Sequence, residues 1–399
     1  MSDESTKQHA QHDPSLPFRL TADDLLGDLA WPKLLHAPRL AFRSGRIGLG
    51  IAAALVIALV DQVLARIAGG EPIIGGLLSA LAGTVSASVR AAADLNTGAA
   101  LLGLLAGIGG AARDAWSDAP VRSSVLVPLA VVWQAFVSVA VGRLAAEEFA
   151  RGSAGSWIDG LRWSVARLSG IVIAYALPTL VVGLLIGVLA VGGWALLSVP
   201  FANVLGAVLG IVGLLLSLAL VAVVLGMVFG SPLFAAAIAV EGSDGIDAVH
   251  RSYAYVFARP LRAALYAALL VVQGIVVVSV LAAIAALTVG LFSWATGLML
   301  NERASLVASG VASDELGPGG VAAAGIMRTV LQLPAIVLAG YAVSYWASGS
   351  AMLYIALRRI VDGQDMVDLY VPGEIEERID AVLASRDEAI TQAAEDRPA

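Results

Sequence analysis

AALYAALLVVQGIVVVSVLAAIAALTVGLFSW, residues 263–294, is a run of 32 residues without a single Asp, Glu, Lys, Arg or His. A helix of that length is about 48 Å long at 1.5 Å per residue, more than the ~30 Å hydrocarbon core of a bilayer requires. A segment this apolar has no water to satisfy its backbone inside lipid, so it must bond to itself as a helix or close into a barrel. A barrel needs alternating segments of about ten residues, and this run does not alternate.

Five further segments read the same way: 46–68, 125–145, 168–191, 205–227 and 330–356. The whole chain agrees with them. Of its 399 residues 59% are hydrophobic and only 14% charged, against roughly a quarter charged in a soluble domain. The expected fold class is therefore all-α, a polytopic transmembrane helical bundle of about six spans, with amphipathic helices at its cytoplasmic interface. The Gly- and Ala-rich stretch 72–118 is weaker. Leu77, Leu81, Val85 and Val89 recur every fourth residue, so it reads either as an interfacial helix or as a re-entrant or spanning pair. No cleavable signal peptide is expected, because the first apolar run starts only near Ile47.

Loop charge orients the bundle. With an inside N-terminus and six spans, 18 of the 24 Lys and Arg residues fall inside, as cytoplasmic loops require. Both termini are then cytoplasmic, in a bacterial inner membrane. Residues 1–45 form an N-terminal segment: polar at first, then short interfacial helices with Trp31, Leu34, Leu35 and Leu40 toward lipid and Lys33, Arg39 and Arg43 toward phosphates. Residues 46–361 are the transmembrane domain. The tail, 362–399, carries eleven acidic and three basic residues, which anionic lipid would repel and a cytoplasmic protein partner could read. With a net charge of −7 no nucleic-acid partner is expected.

WIDGLRWS (157–164) aligns with GIDAVHRS (245–252) at a constant offset of 88, matching Asp159 with Asp247 and Ser164 with Ser252. The pattern is that of a duplicated span, inner helix and span, around 125–191 and 205–294, or of convergence on one interfacial-helix solution. The second copy opens EGSDGIDAVHRSYAYVFARPLR (241–262), the chain's densest cluster of reactive side chains. Asp247 and Arg251 have helix-pair spacing; Tyr253 and Tyr255 suit the headgroup layer; Arg259 and Arg262 would reach phosphates. His250 could meet Asp247, but no nucleophile or metal set accompanies it. These residues are candidate lipid or partner contacts. Asp61, with Arg66 nearby, and the mid-span amides Gln134, Gln273 and Gln332 form a candidate intramembrane polar cluster, as interhelical glue or as the lining of a path.

No cysteine is present and no Walker, zincin or nucleophile-elbow motif occurs, so no catalytic residue, metal or cofactor is assigned. His9, His12 and Asp13 offer at most a weak chelating run. RSGRIGLG (43–50), EGSDGIDAVHRSYAYVFARPLR and LRRIVDGQD (357–365) together resemble a family of uncharacterised bacterial multi-pass membrane proteins. More distantly, the 241–262 loop is similar to the membrane domain attached to some glycerophosphodiester phosphodiesterases, whose hydrolytic domain this chain lacks. The resemblance implies a six-span core and no assigned reaction. The functional expectation is a non-catalytic membrane-organising or partner- and lipid-binding protein in contact with membrane lipids, with Gly183/Gly187, Gly206/Gly210 and Gly226/Gly230 allowing close helix approach within one chain or between the chains of a homo-oligomer. The alternative is a permease or lipid-handling transporter with a path between the duplicated units.

Overall fold

The computed structural model describes residues 31–370 except 95, 153–154, 199–201, 312 and 314–315. The His9–His12 run, the short helix expected over residues 21–29 and the tail beyond 370 lie outside the described residues. Among those described, every regular element is a helix. Two short ones, α1 (Trp31–Leu34) and α2 (Ala37–Ala41), precede α3 (Ser44–Ala68). Then come α4 (Ile73–Ala93), α5 (Thr97–Asp118), α6 (Pro120–Arg151), α7 (Trp157–Ala166) and α8 (Leu168–Leu197). The chain continues with α9 (Ala202–Glu241), α10 (Gly245–Ala258), α11 (Pro260–Gly297), α12 (Glu302–Ala308) and α13 (Gly317–Asp362). Six of these, α3, α6, α8, α9, α11 and α13, are long and apolar enough to cross a membrane, and each contains one of the six segments expected from sequence.

Local chemistry sets the boundaries. Pro120 and Pro260 begin α6 and α11, where a missing N–H costs nothing, and left-handed Gly152 and Gly363 follow α6 and α13. Ser156 caps α7 by accepting from the Ile158 N–H, and Asp244 caps α10 by accepting from the Asp247 N–H. These caps are themselves 88 residues apart, so the internal correspondence includes the turn that starts each short helix. In both units a short helix joins the closing end of one long helix to the opening end of the next.

The long helices alternate in direction, and the buried core gathers at one end of the bundle. It comprises the opening turns of α3, α8 and α11 and the closing turns of α6, α9 and α13. Residues 135–146 of α6, 233–240 of α9 and 347–358 of α13 are buried almost without interruption. Lipid is as apolar as leucine, so what favours helix contact there is close packing of small side chains and hydrogen bonds. The facing residues fit that requirement: Ala140, Gly142, Ala237, Ala239, Ala347 and Ala351. At the other end α8, α9 and α11 present Leu184, Val208, Leu214 and Leu287 outward, as lipid-facing helices must.

One expectation changes and one open reading is narrowed. Leu34 and Leu40 are buried in the protein core, so α1 and α2 wedge against α13 with Trp31 and Leu35 left exposed. The stretch 72–118 forms an antiparallel pair, α4 and α5, that packs mainly on itself and touches the bundle at α3 and α6. The tightest crossing is α3 on α13. A Cβ on Gly50 would fall inside contact distance of the Gly340 carbonyl oxygen and 2.9 Å from its carbon, so neither backbone has room for a side chain. By contrast Gly183, Gly187 and Gly210 have nothing among the described residues within 4 Å of such a Cβ.

Candidate functional site

The packed end carries three linked sets of charged and aromatic side chains. The first surrounds Glu241, where α9 turns into α10. Arg251 Nη1 donates to Glu241 Oε2 at 2.6 Å and its Nε donates to Asp247 Oδ2 at 2.8 Å. On the other side, Arg358 Nη1 of α13 lies 3.5 Å from Glu241 Oε1. Arg358 is 3% exposed and also donates to the carbonyls of Asp365 and Asp368, drawing residues 363–370 back over the bundle. The Tyr255 hydroxyl donates to Asp362, and its ring tilts against Tyr354, with centroids 5.3 Å apart. Burial lowers the affinity of Arg251 for its proton, but Glu241 and Asp247 outweigh it and raise its pKa. Burial, then the bond to Asp362, pushes the Tyr255 phenol well up, so it stays neutral.

The second set centres on Trp163 of α7. The guanidinium carbons of Arg143 and Arg167 lie 3.9 and 3.4 Å from its ring centroid. Two cations that near one ring must occupy opposite faces, which is the favourable cation–π geometry. Trp163 Nε1 donates to the Ile238 carbonyl at 3.2 Å. Arg143 is anchored by Glu147 at 2.6 Å and by the Tyr370 carbonyl at 2.9 Å, and the Tyr370 N–H donates to the Val240 carbonyl. In the third set Glu148 accepts from Arg43 at 2.6 Å and from Arg46 at 2.8 Å, tying the start of α3 to the end of α6. The bond to Glu148 raises the pKa of Arg43. Arg43 therefore meets a protein carboxylate and not the lipid phosphates expected from sequence.

The structure divides the residues singled out by sequence. Asp247 and Arg251 pair as their spacing predicts. The His250 side chain is exposed and has no hydrogen bond or ion pair among the described residues, and the Arg259 and Arg262 side chains are likewise exposed and unpaired among them. Tyr253 is half-buried, stacked on Phe234, and donates to the Val223 carbonyl at 3.0 Å. A Cβ on Gly226 would meet the Tyr253 ring, with Cδ1 at 2.6 Å, so this glycine makes room for a ring and not for another helix. Tyr255 points into the protein, not the headgroup layer, and is 3% exposed.

Asp61 is also buried, yet it does not pair with Arg66. Its two oxygens accept from the N–H groups of Ile73 and Ile74 at 3.1 and 2.7 Å, holding the first turn of α4. The three amides go separate ways. Gln134 reaches Ser138 on its own helix, Gln273 bonds Tyr345 and the Leu35 carbonyl, and Gln332 is exposed. None of the three lines either of the two cavities of about 590 Å³.

Sequence reasoning missed Arg358, Tyr354 and Asp362 as partners of the 241–262 loop. The available signal was the charge run Arg358, Arg359 and Asp362 closing the last span. Several buried atoms of this cluster, the Tyr354 hydroxyl, Arg358 Nε, Glu241 Oε1 and the Ser243 hydroxyl, have no hydrogen bond in the described structure. Among the described residues no three His, Asp or Glu side chains gather as a metal set. What the arrangement offers is a lock: guanidiniums and carboxylates from α9, α10 and α13 hold one another and the 363–370 segment in place. Comparison of the chain with protein-family models, curated proteins and solved structures finds no match.

Proposed function

We propose that the protein is a non-catalytic component of a bacterial inner membrane that organises lipid and a partner protein at its packed end, with that end and both termini in the cytoplasm. One observation carries the reading. The packed end is closed by its own ion pairs, each buried guanidinium of Arg46, Arg143 and Arg358 being held by carboxylates and carbonyls of its own helix, of neighbouring helices or of the 363–370 segment. A carrier for polar cargo needs polar groups lining a path to the bilayer centre. The separation of Gln134 and Gln273 to unrelated partners and the exposure of Gln332 speak against such a path here.

What remains outward at this end is suited to contact. His250, Arg259 and Arg262, with exposed Phe257 and Trp157, surround the locked core, and the acidic tail leaves from beside it. The reading is tested by isolating the full chain in native lipid and identifying what accompanies it, alongside a lipid-translocation assay in vesicles. Enrichment of a protein or an anionic lipid over membrane background, without translocation, is the expected result. Translocation, or no enrichment of either, overturns it.

A further inference from the structure

α9 and α11 diverge after α10 joins them, and α13 floors the gap. The result is an open cleft of about 590 Å³, lined by Phe229 and Pro232 of α9, Ala268 and Val278 of α11, and Trp346 and Leu353 of α13. Its one phenol, Tyr345, has its hydroxyl committed to the Leu270 carbonyl and Gln273. The wall therefore offers an occupant little besides carbon.

Size decides what fits. The α11 wall runs from Ala264 to Val278, about 21 Å along the helix at 1.5 Å per residue. That length is of the order of one leaflet of a ~30 Å hydrocarbon core plus its interface, the extent of a single acyl chain and short of the full bilayer that a partner's transmembrane helix would cross.

Charge stands where such a chain's headgroup would be. Arg259 caps the opening of α11 and Arg262 follows in its first turn, next to Ala264, where the cleft begins. Both are exposed, and neither side chain has an ion pair or hydrogen bond among the described residues, in contrast to the locked arginines around them. The positive end of the α11 dipole lies at the same point. We propose that this cleft holds one acyl chain of an anionic phospholipid whose phosphate is met by Arg259 and Arg262. The inference rests on the reading of this protein as a lipid-contacting one and specifies the site and the headgroup class.

The test uses the full chain in vesicles containing a small fraction of phosphatidylglycerol with a photoactivatable group midway along one acyl chain. A parallel set contains phosphatidylcholine with the same chain. Labelling should map to residues 264–278 and 342–353 and favour phosphatidylglycerol by about 25-fold, about fivefold for each arginine near the surface. Arg259→Gln with Arg262→Gln should bring the two lipids close to parity while chain labelling persists. Ala264→Phe and Ala268→Phe, both at exposed positions, should abolish labelling by either lipid. Equal labelling of the unaltered protein by the two lipids, unchanged labelling of both Phe variants, or capture of a protein at these residues overturns the proposal. A retained partner protein with an unlabelled cleft would remove the lipid site alone. A labelled cleft accompanied by translocation would remove the non-transporting reading alone.

Discussion

Gly50→Ala and Gly48→Ala make the same chemical change two residues apart on α3, and the structure assigns them opposite signs. At Gly48 an added Cβ meets nothing within 4 Å. The substitution then only trims the freedom of the unfolded chain and improves helix propensity, a gain of about 0.5–1 kcal/mol. At Gly50 the added carbon collides with the backbone of Gly340, its Cα 3.0 Å away and its carbonyl oxygen closer still. No rotamer relieves a clash with backbone, so α3 and α13 must separate. Overpacking of this kind costs about 3 kcal/mol, at the upper end of the usual range, and the propensity gain offsets less than a third of it. The two variants should differ by about 3 kcal/mol, roughly a hundredfold in the folded ratio. A titration of detergent-solubilised protein with dodecyl sulfate, followed by circular dichroism, reads this as a lowered midpoint for Gly50→Ala and a slightly raised one for Gly48→Ala. Equal midpoints, or the reverse order, would refute the α3–α13 crossing.

The same titration tests the loop. Asp247→Ala removes an ion pair whose side chains are each 39% exposed and should cost less than about 1 kcal/mol; Tyr253→Asp sets a carboxylate against Phe234 and should cost about 3 kcal/mol, and the opposite ranking removes this account of the loop. Glu241→Gln leaves Arg358 buried without its carboxylate and should cost about 3–5 kcal/mol, while adding Arg358→Met should restore part of the loss; a double variant worse than the single one contradicts the pairing. The raised pKa of Tyr255 means that above the ordinary tyrosine value of 10.0 the unfolded phenol loses a proton the folded one keeps. Its contribution is therefore complete below that pH and declines above it, and Tyr255→Phe should flatten the alkaline limb of a stability–pH profile. Reporters placed after Ala399 and near Ser243 should register the cytoplasm and one near Ser313 the opposite side; any other pattern overturns the proposed orientation.

The six long helices were legible because length and lack of charge are properties of a segment by itself. The faces of the short helices were not, and α10 shows why. The large apolar residues Ile246, Val249, Tyr253 and Val256 share the side expected to face the membrane, yet the residues buried in the protein are Gly245, Ala248, Ser252, Tyr255 and Val256. In contact between membrane helices the inward face is marked by small size, since a large apolar side chain is equally content against lipid. The repeat had already marked that face: Gly160 and Ser164, the counterparts of Ala248 and Ser252, are the buried residues of α7. Charge partners were illegible for a different reason. Arg143 and Glu147 are one turn apart and pair as spacing predicts, whereas Glu148 joins Arg43 and Arg46 about a hundred residues away, a meeting that only the assembled bundle creates. Asp61 looked like half of an ion pair because a cap supplied from twelve residues upstream leaves no local pattern.

The segment 363–370 is made after all six long helices, yet it supplies acceptors to two of the most buried guanidiniums, Arg143 through Tyr370 and Arg358 through Asp365 and Asp368. During synthesis the carboxylate partners of these cations, Glu147 and Glu241, lie on earlier segments, and the carbonyl acceptors are added only when 363–370 emerges. The order of biogenesis and the order of closure are thereby coupled. A chain stopped just short of Asp365 would contain every long helix and lack the carbonyls that Arg143 and Arg358 bond in the 363–370 segment.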